Sequence, residues 1–184
     1  MSRIATPASI DASPAASQPL LAAVKKQLGS VPNLFRVVSN SPEGLEGYLG
    51  LNGALAKGRL EPKTRERIAL AIAEVNGCDY CLAAHSYLAR NLVKLDDAEI
   101  ANNRSGGSSE PKADAAVRFA VKVARLRGHV ADADVAAVRD AGHDDAQILE
   151  IVLHVVLNTL TNYVNSVAGT AIDFPAVAPA RLAA

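Results

Sequence analysis

The stretch RERIALAIAEVNGCDYCLAAHSYLARN, residues 65–91, decides how this chain is expected to fold. Apolar residues recur at intervals of three and four on both sides of Asn76 and Gly77, which indicates two helices. Asn and Gly tolerate the left-handed conformation that ends a helix, so the first helix is expected to end there. If the two helices run antiparallel, residues equidistant from the turn lie at the same height.

The same spacing continues along the chain from Leu20, and alternating Val-, Ile- and Thr-rich runs bounded by hairpin turns are missing. The sequence therefore predicts an all-α fold. Helices are expected at 42–57, 62–75, 78–91, 112–127, 132–140 and 144–168, with a short one from Asp96 and an exposed loop at 105–111. Residues 1–19, rich in Ala, Ser and Pro, predict a mobile N-terminal arm, 20–175 a single helical domain, and 176–184 a C-terminal tail.

Composition and charge argue against several classes of function for this chain. With 184 residues and 49% hydrophobic content, the chain can bury one sizeable core. Its 19 basic and 19 acidic residues balance, so no partner among nucleic acids or anionic membranes is expected. No apolar run approaches the roughly 18 residues of a membrane span, and the first residues lack the apolar block of a secretion signal. A cytoplasmic location is expected, where a close cysteine pair is more often redox-active or metal-binding than structural.

Cys78 and Cys81 are the only cysteines, and three explanations other than redox chemistry fit them poorly. A covalent haem site needs a His directly after the second Cys, whereas Leu82 follows here. A structural zinc site needs four ligands. The remaining histidines are scattered along the chain: His129, His143 and His154. A structural disulfide that closes so short a loop would stabilise the fold by only about 2 kcal/mol.

Position and geometry favour a reversible bond between these two thiols. Residues three apart on a helix have Cβ atoms about 5–6 Å apart, whereas a disulfide needs about 3.5–4.5 Å, so a bridge would be strained and easily reduced. Both cysteines are expected in the first turn of the helix at 78–91. There the free N–H groups and the positive end of the helix dipole favour thiolate over thiol.

Two proton-carrying residues are expected close to the pair. His85 lies four residues after Cys81, on the same helix face, although such a histidine is often an ordinary helix residue. Glu66 should stand at the height of His85 in an antiparallel hairpin, where burial would raise its pKa. It could instead form an ion pair with Lys63 or Arg67. The competing carboxylate, Glu74, is expected to be exposed near the turn.

Four glycines, at positions 44, 47, 50 and 53, recur every third residue of the helix at 42–57. Each costs about 0.5–1 kcal/mol in a helix relative to Ala. Close approach of another helix would offset that cost. A weak surface helix is the alternative.

The run ERIALAIAEVNGCDYCLAAH resembles the alkyl hydroperoxidase D (AhpD) and carboxymuconolactone decarboxylase superfamily. Its redox members carry a Glu, eleven further residues and then Cys-x-x-Cys-x-x-x-His, and Glu66, Cys78, Cys81 and His85 match all four positions. The resemblance extends from VPNLFRV near residue 31 to NYVNSVAGTAIDFP near 175. One departure is Tyr80, where the best-studied pattern has a His; Tyr80 either hydrogen-bonds a peroxide oxygen or packs.

The resemblance implies an AhpD-like multi-helical bundle that assembles as a homotrimer or homohexamer, and an oxidoreductase of the peroxidase type. Cys81 would then be the peroxidatic thiolate and Cys78 the resolving thiol, with His85 and Glu66 as the proton relay. The expected substrate is an organic or hydrogen peroxide, and an external dithiol such as a lipoyl or thioredoxin-like protein would reduce the disulfide. No cofactor and no metal are implied. A lyase or isomerase of the decarboxylase type, and a redox sensor that exchanges disulfides without turnover, remain as alternatives.

Overall fold

The computed structural model describes residues 2–177, and within that range all regular secondary structure is helical. After a short 3-10 turn at Ala15–Ser17, the helices are α1 (Gln18–Leu28), α2 (Asn33–Val38), α3 (Pro42–Leu55), α4 (Pro62–Val75), α5 (Asp79–Asn91), α6 (Asp97–Arg104), α7 (Pro111–Arg125), α8 (Asp132–Asp140) and α9 (Asp145–Ala168). The predicted all-α fold is confirmed, and the predicted helices from 42 onward agree with these bounds to within about two residues. Most of the predicted tail at 176–184 lies outside the described residues.

Helix α4 lies at the centre of the fold, where it contacts α5, α6, α7 and α9. Every residue from Arg67 to Glu74 is buried. Alanines at 69, 71 and 73 take little room, so neighbouring helices can pack against several sides of α4. The largest cluster of buried side chains joins α4 to α7, α8 and α9, and includes Ile68, Ile72, Val117, Phe119, Val138 and Ile151.

The turn between α4 and α5 has the predicted form of a helix end. Gly77 has a φ of 62°, the left-handed conformation that glycine adopts without strain. The N–H of Gly77 donates to the carbonyl of Glu74, and the N–H of Cys78 donates to that of Ala73. These bonds satisfy carbonyls that the end of α4 leaves free, and they fix the direction in which α5 starts.

Helix α9 is the longest helix, with 24 residues. Asp144 and Gln147 form a capping box at its start, and Gly169, with a φ of 60°, ends it. Its first half contributes Ile151 and Val155 to the main core. Its second half turns polar residues toward the hairpin of α4 and α5, and so brings a distant part of the chain to the two cysteines.

The N-terminal segment lies along the helical body. The Ser2 hydroxyl and the Arg3 N–H both donate to the carbonyl of Ala168 at the end of α9. Farther along, the Asn40 side chain donates to the carbonyl of Ala5, and Arg36 donates to that of Pro7. The mobility of this segment and the domain boundaries at 19 and 175 stay predictions.

The glycine face of α3 is open. A Cβ added at Gly47, Gly50 or Gly53 would meet no atom of the described residues within 4 Å, and at Gly44 it would meet the Ser41 side chain that caps the helix. A closely packed helix is therefore not found on this face within the described part of the chain. None of the helices in residues 2–177 has the length and apolar character of a membrane crossing.

Candidate active site

The two cysteines face each other at the start of α5. The Sγ atoms of Cys78 and Cys81 lie 2.8 Å apart, with the Cys78 thiol donating to the Cys81 sulfur. Both cysteines are free, and a disulfide has an S–S distance of about 2.0 Å, so a short further approach would join them.

The sequence predicted Cys78 in the first turn of α5. In the structure Cys78 instead lies just before the helix, as its N-cap. Its backbone is extended, with φ −93° and ψ 96°, and its sulfur accepts the N–H of Cys81 at 3.4 Å. An extended residue turns its Cβ differently from a helical one, so the predicted separation of the two side chains does not apply. Cys81 does lie in the first turn, where the free N–H groups of the helix favour a negative charge.

The surroundings favour the thiolate of Cys81 over that of Cys78. The pKa of Cys81 is lowered to about 6, first by the hydrogen bond from Cys78, then by the charge of His85 and by the amides of Asn165 and Asn162, all against the opposing effect of burial. The pKa of Cys78 is raised, because its thiol donates to Cys81 and because it is buried. Near neutral pH, the pair therefore holds one anion, on Cys81.

His85 and Glu66 form the predicted contact across the hairpin. Nδ1 of His85 lies 2.9 Å from Oε2 of Glu66, and the two side chains are 19% and 21% exposed. Burial acts to lower the pKa of His85, but the charge and hydrogen bond of Glu66, together with the charge of Cys81, raise it overall. The direction of this shift favours the protonated imidazole, and Nε2 is the ring nitrogen not bound to Glu66.

One of the two alternative partners predicted for Glu66 is engaged elsewhere. Arg67, one alternative partner of Glu66, pairs instead with Glu99 at 2.8 Å and Glu110 at 3.0 Å. The expectation that Glu74 is exposed is wrong: it is 8% exposed and pairs with Arg104 of α6 at 2.6 Å. Within residues 2–177, no group of three or more His, Cys, Asp or Glu side chains is arranged to hold a metal ion.

Two asparagines of α9, which were not predicted as site residues from the sequence, complete the site. Nδ2 of Asn165 donates to the Cys81 sulfur at 3.3 Å. Asn162 is fully buried one turn earlier, and its Oδ1 accepts from Nδ2 of Asn76 at 2.8 Å. A signal was present, because Asn158, Asn162 and Asn165 recur at helical spacing on α9, and buried amides need polar partners.

Tyr80 packs and anchors the chain around the site. Its hydroxyl donates to Oδ1 of Asp173 at 2.8 Å and accepts the N–H of Leu34 at 3.1 Å. Its ring meets that of Phe174 edge-on, with the centroids 5.9 Å apart. Asp173 also accepts the N–H of Asn33 at the start of α2. Of the two predicted roles of Tyr80, the structure favours packing, because the hydroxyl is committed to these partners.

The thiols lie in an apolar enclosure. Cys78 is 2% exposed and Cys81 3%. The surrounding side chains are Leu34, Val38, Ala73, Tyr80, Leu82, Ala84, Val164 and Phe174. Tyr48 of α3 lies within electrostatic reach, since burial first and then the charges of Cys81 and Glu66 raise its pKa. A small or apolar reactant would fit such surroundings better than a charged one.

Part of the chain matches the profile of a known protein family. The profile described as the carboxymuconolactone decarboxylase family matches residues 42–126, which include the cysteine pair, His85 and Glu66 and end before α9. An uncharacterized protein of Haemophilus influenzae is 39% identical over 64 residues, 34% of this chain and 51% of that protein. The chain thus spans about half the length of this curated relative.

Solved structures agree over nearly the whole chain. An uncharacterized peroxidase-related protein from Ralstonia eutropha JMP134, described as having an alkylhydroperoxidase AhpD core, is 25% identical with a TM-score of 0.83, over 94% of this chain and 92% of that one. A peroxidase-related protein from Silicibacter sp. TM1040 is 24% identical with a TM-score of 0.80, over 92% and 91%. The debrominase Bmp8, solved with 2,3,4-tribromopyrrole, is 17% identical with a TM-score of 0.75, over 91% and 90%. The last two likenesses concern the fold alone.

The profile match covers the thiol hairpin, and the likeness to an AhpD core extends over the remaining helices. The chain is similar to the AhpD-like carboxymuconolactone decarboxylase superfamily, in sequence over residues 42–126 and in fold over nearly its whole length.

Proposed function

We propose that this chain is a thiol-dependent peroxidase that reduces an organic hydroperoxide or hydrogen peroxide. One observation carries the proposal: the Cys78 thiol donates to the Cys81 sulfur at 2.8 Å, and the pKa of Cys81 is lowered to about 6. A thiolate is the nucleophile toward a peroxide, and a second thiol within bonding reach can capture the oxidised sulfur.

The first step oxidises Cys81. Its thiolate attacks the terminal oxygen of ROOH, an S–O bond forms, the O–O bond breaks, and the leaving group departs as RO⁻. The charged imidazole of His85 gives that oxygen a proton, so that ROH is released. Cys81 becomes a sulfenic acid, while Glu66 holds the imidazole through Nδ1.

The second step forms the disulfide. The Cys78 thiol transfers its proton to the neutral His85 and attacks the Cys81 sulfur. Hydroxide leaves and takes that proton from His85 to become water, so that His85 is neutral again. Two electrons from an external dithiol then reduce the disulfide, and Cys81 returns to the thiolate as His85 is recharged. A lipoyl or thioredoxin-like protein in the cytoplasm is the proposed source of that dithiol.

The outer face of α9 supports the proposed assembly into a homotrimer or homohexamer. Its exposed apolar side chains follow the 4–3–4–3 spacing of a coiled-coil seam: Leu149, Leu153, Val156, Leu160, Tyr163 and Val167, all between 39% and 64% exposed. No Asp, Glu, Lys or Arg occurs from 151 to 168, a stretch about 27 Å long as a helix. Uncharged apolar surface of this length is typical of a contact between subunits.

Peroxide consumption tests the proposed function. The protein, supplied with cumene hydroperoxide and an excess of dithiothreitol, should consume peroxide over many cycles, and Cys81→Ser should abolish this while the helical circular dichroism is unchanged. Full activity of Cys81→Ser would eliminate the mechanism. The double variant Cys78→Ser, Cys81→Ser separates the decarboxylase alternative, since turnover of a lactone acid by that variant would favour a lyase. A single oxidation without continued turnover would favour a redox sensor.

A further inference from the structure

Two buried amides on α9 are directed at the thiol pair. Asn162 is 0% exposed and Asn165 3%. Nδ2 of Asn165 lies 3.3 Å from the Cys81 sulfur. Nδ2 of Asn162 has no hydrogen-bond partner of normal geometry among the described residues, yet Asn162 is one of the groups that lower the pKa of Cys81.

The contact to Asn76 determines which end of the Asn162 amide faces the thiols. Nδ2 of Asn76 is a donor, and it bonds Oδ1 of Asn162 at 2.8 Å and Oγ1 of Thr159 at 3.3 Å. Only the oxygen of Asn162 can accept that bond, so its NH₂ group must point the other way. Asn76 directly precedes Gly77 in the turn between α4 and α5 and thereby links the thiol hairpin to α9.

A buried N–H group without an acceptor is unfavourable and rare in folded proteins. A thiolate is a much better acceptor than a thiol, since hydrogen bonds to a charged atom are roughly twice as strong as neutral ones. Nδ2 of Asn162, a buried donor without such a partner, is therefore suited to the anionic form of the Cys81 sulfur. This explains why two amides are buried on α9 beside the thiols.

We propose that Asn162 and Asn165 form a donor pair that holds the Cys81 sulfur as an anion, and that Asn76 acts as a positioning residue by orienting Asn162. The inference rests on the proposed function in that it takes Cys81 as the reactive thiol. On this proposal, α9 and the start of α5 together determine which of the two cysteines carries the negative charge. All three asparagines would act before any peroxide is present.

The test is the acid–base titration of Cys81 in full-length protein carrying Cys78→Ser, so that one thiol is observed. The rate of alkylation by iodoacetamide and the ultraviolet absorbance of the thiolate are followed against pH. Asn165→Ala and Asn162→Ala should each raise the pKa of Cys81 by about one unit, roughly a tenfold loss of thiolate below the pKa. Asn76→Ala should raise it by less, because Asn162 keeps its donor and loses only its orientation.

The matched control is Asn158→Ala. Asn158 lies on the same helix, is 6% exposed and donates to the carbonyl of His154 at 2.7 Å, not to sulfur. This variant should leave the Cys81 pKa unchanged. Asn165→Asp keeps the shape of the side chain and replaces the donor by an anion, so it should raise the pKa of Cys81 further. It also provides the test if Asn165→Ala fails to fold.

An unchanged Cys81 pKa in folded Asn165→Ala and Asn165→Asp would overturn the inference, and so would an equal shift in Asn158→Ala. The outcome is independent of peroxide turnover. A wild-type protein that consumes no peroxide, but whose Cys81 pKa rises in the Asn165 variants, would refute the proposed function and support the donor pair.

Discussion

Nδ1 of His85 lies 2.9 Å from Oε2 of Glu66, although 19 positions separate the two residues in the chain. The contact joins the second turn of α5 to the second turn of α4 across the hairpin. It raises the pKa of His85 against the effect of burial, and the resulting positive charge helps to lower the pKa of Cys81. A carboxylate that never touches the sulfur thus influences whether the sulfur is ionised.

Glu66→Gln should therefore affect two titrations at once. Without the carboxylate, burial dominates at His85, so its pKa should fall, and the pKa of Cys81 should rise by about one unit as the neighbouring charge is lost. An NMR titration of the imidazole protons and the alkylation rate of Cys81 measure the two shifts. Glu61→Gln, at the exposed N-cap of the same helix, is the control and should change neither. An unshifted His85 would remove Glu66 from the proposed relay.

The pH dependence of Cys81 reactivity follows from its lowered pKa. The folded-state value of about 6 lies below the ordinary 9.0, so the alkylation rate should rise as the pH increases through 6 and level off above about 7. Cys78, whose pKa is raised, should react slowly across this range. Mass spectrometry of the alkylated peptide, after trypsin digestion at each pH, assigns the label to one residue. Labelling that rises only above pH 8, or falls mainly on Cys78, would contradict the assignment.

Tyr80→Phe should weaken the fold without changing the thiol chemistry. The substitution leaves the N–H of Leu34 and one oxygen of Asp173 without the hydroxyl that bonds both, and we expect the free energy of unfolding to fall by about 1–3 kcal/mol. Urea denaturation measures this loss. Tyr87→Phe is the control, because the ring of Tyr87 also meets Phe174 but is 41% exposed. A large loss of peroxide turnover with unchanged stability would indicate instead that Tyr80 contacts the substrate.

Leu153→Glu places a charge in the middle of the exposed apolar face of α9. If that face joins subunits, the variant should dissociate to monomers of 19.1 kDa, whereas the wild type should have three or six times that mass. Light scattering coupled to size-exclusion chromatography measures both. Leu126→Glu is the control, because Leu126 is similarly exposed, at 47% against 41%, but lies after α7. A monomeric wild-type protein would refute the proposed assembly.

The parts of the site that the sequence predicted are local. Glu66 and His85 lie on consecutive helices joined by a short turn, so their equal height follows from helix geometry alone. The helix bounds also followed from caps and spacing, such as Pro62 at the start of α4 and Gly77 after its end. These signals depend on neighbours in sequence and need no knowledge of how distant helices pack.

The parts that the sequence missed come from distant helices or from backbone conformation. Asn165 reaches Cys81 from 84 positions away, and Arg104 buries Glu74 from 30 positions away. The helical spacing of the asparagines indicates that Asn165 lies on a common face of α9, but it does not indicate Cys81 as the partner of Asn165. The extended backbone of Cys78 is a local feature, but a Cys is an uncommon N-cap, so the pattern indicated a residue inside the helix.

The most direct test of the proposed chemistry is to identify the first sulfur that peroxide oxidises. Cys78→Ser protein treated with one equivalent of cumene hydroperoxide in the presence of dimedone should carry a single dimedone adduct, located at Cys81 by peptide mass spectrometry. Wild-type protein treated with the same peroxide should instead form the Cys78–Cys81 disulfide. Absence of the adduct, with Cys81 recovered as an unmodified thiol, would contradict the peroxidatic role of Cys81.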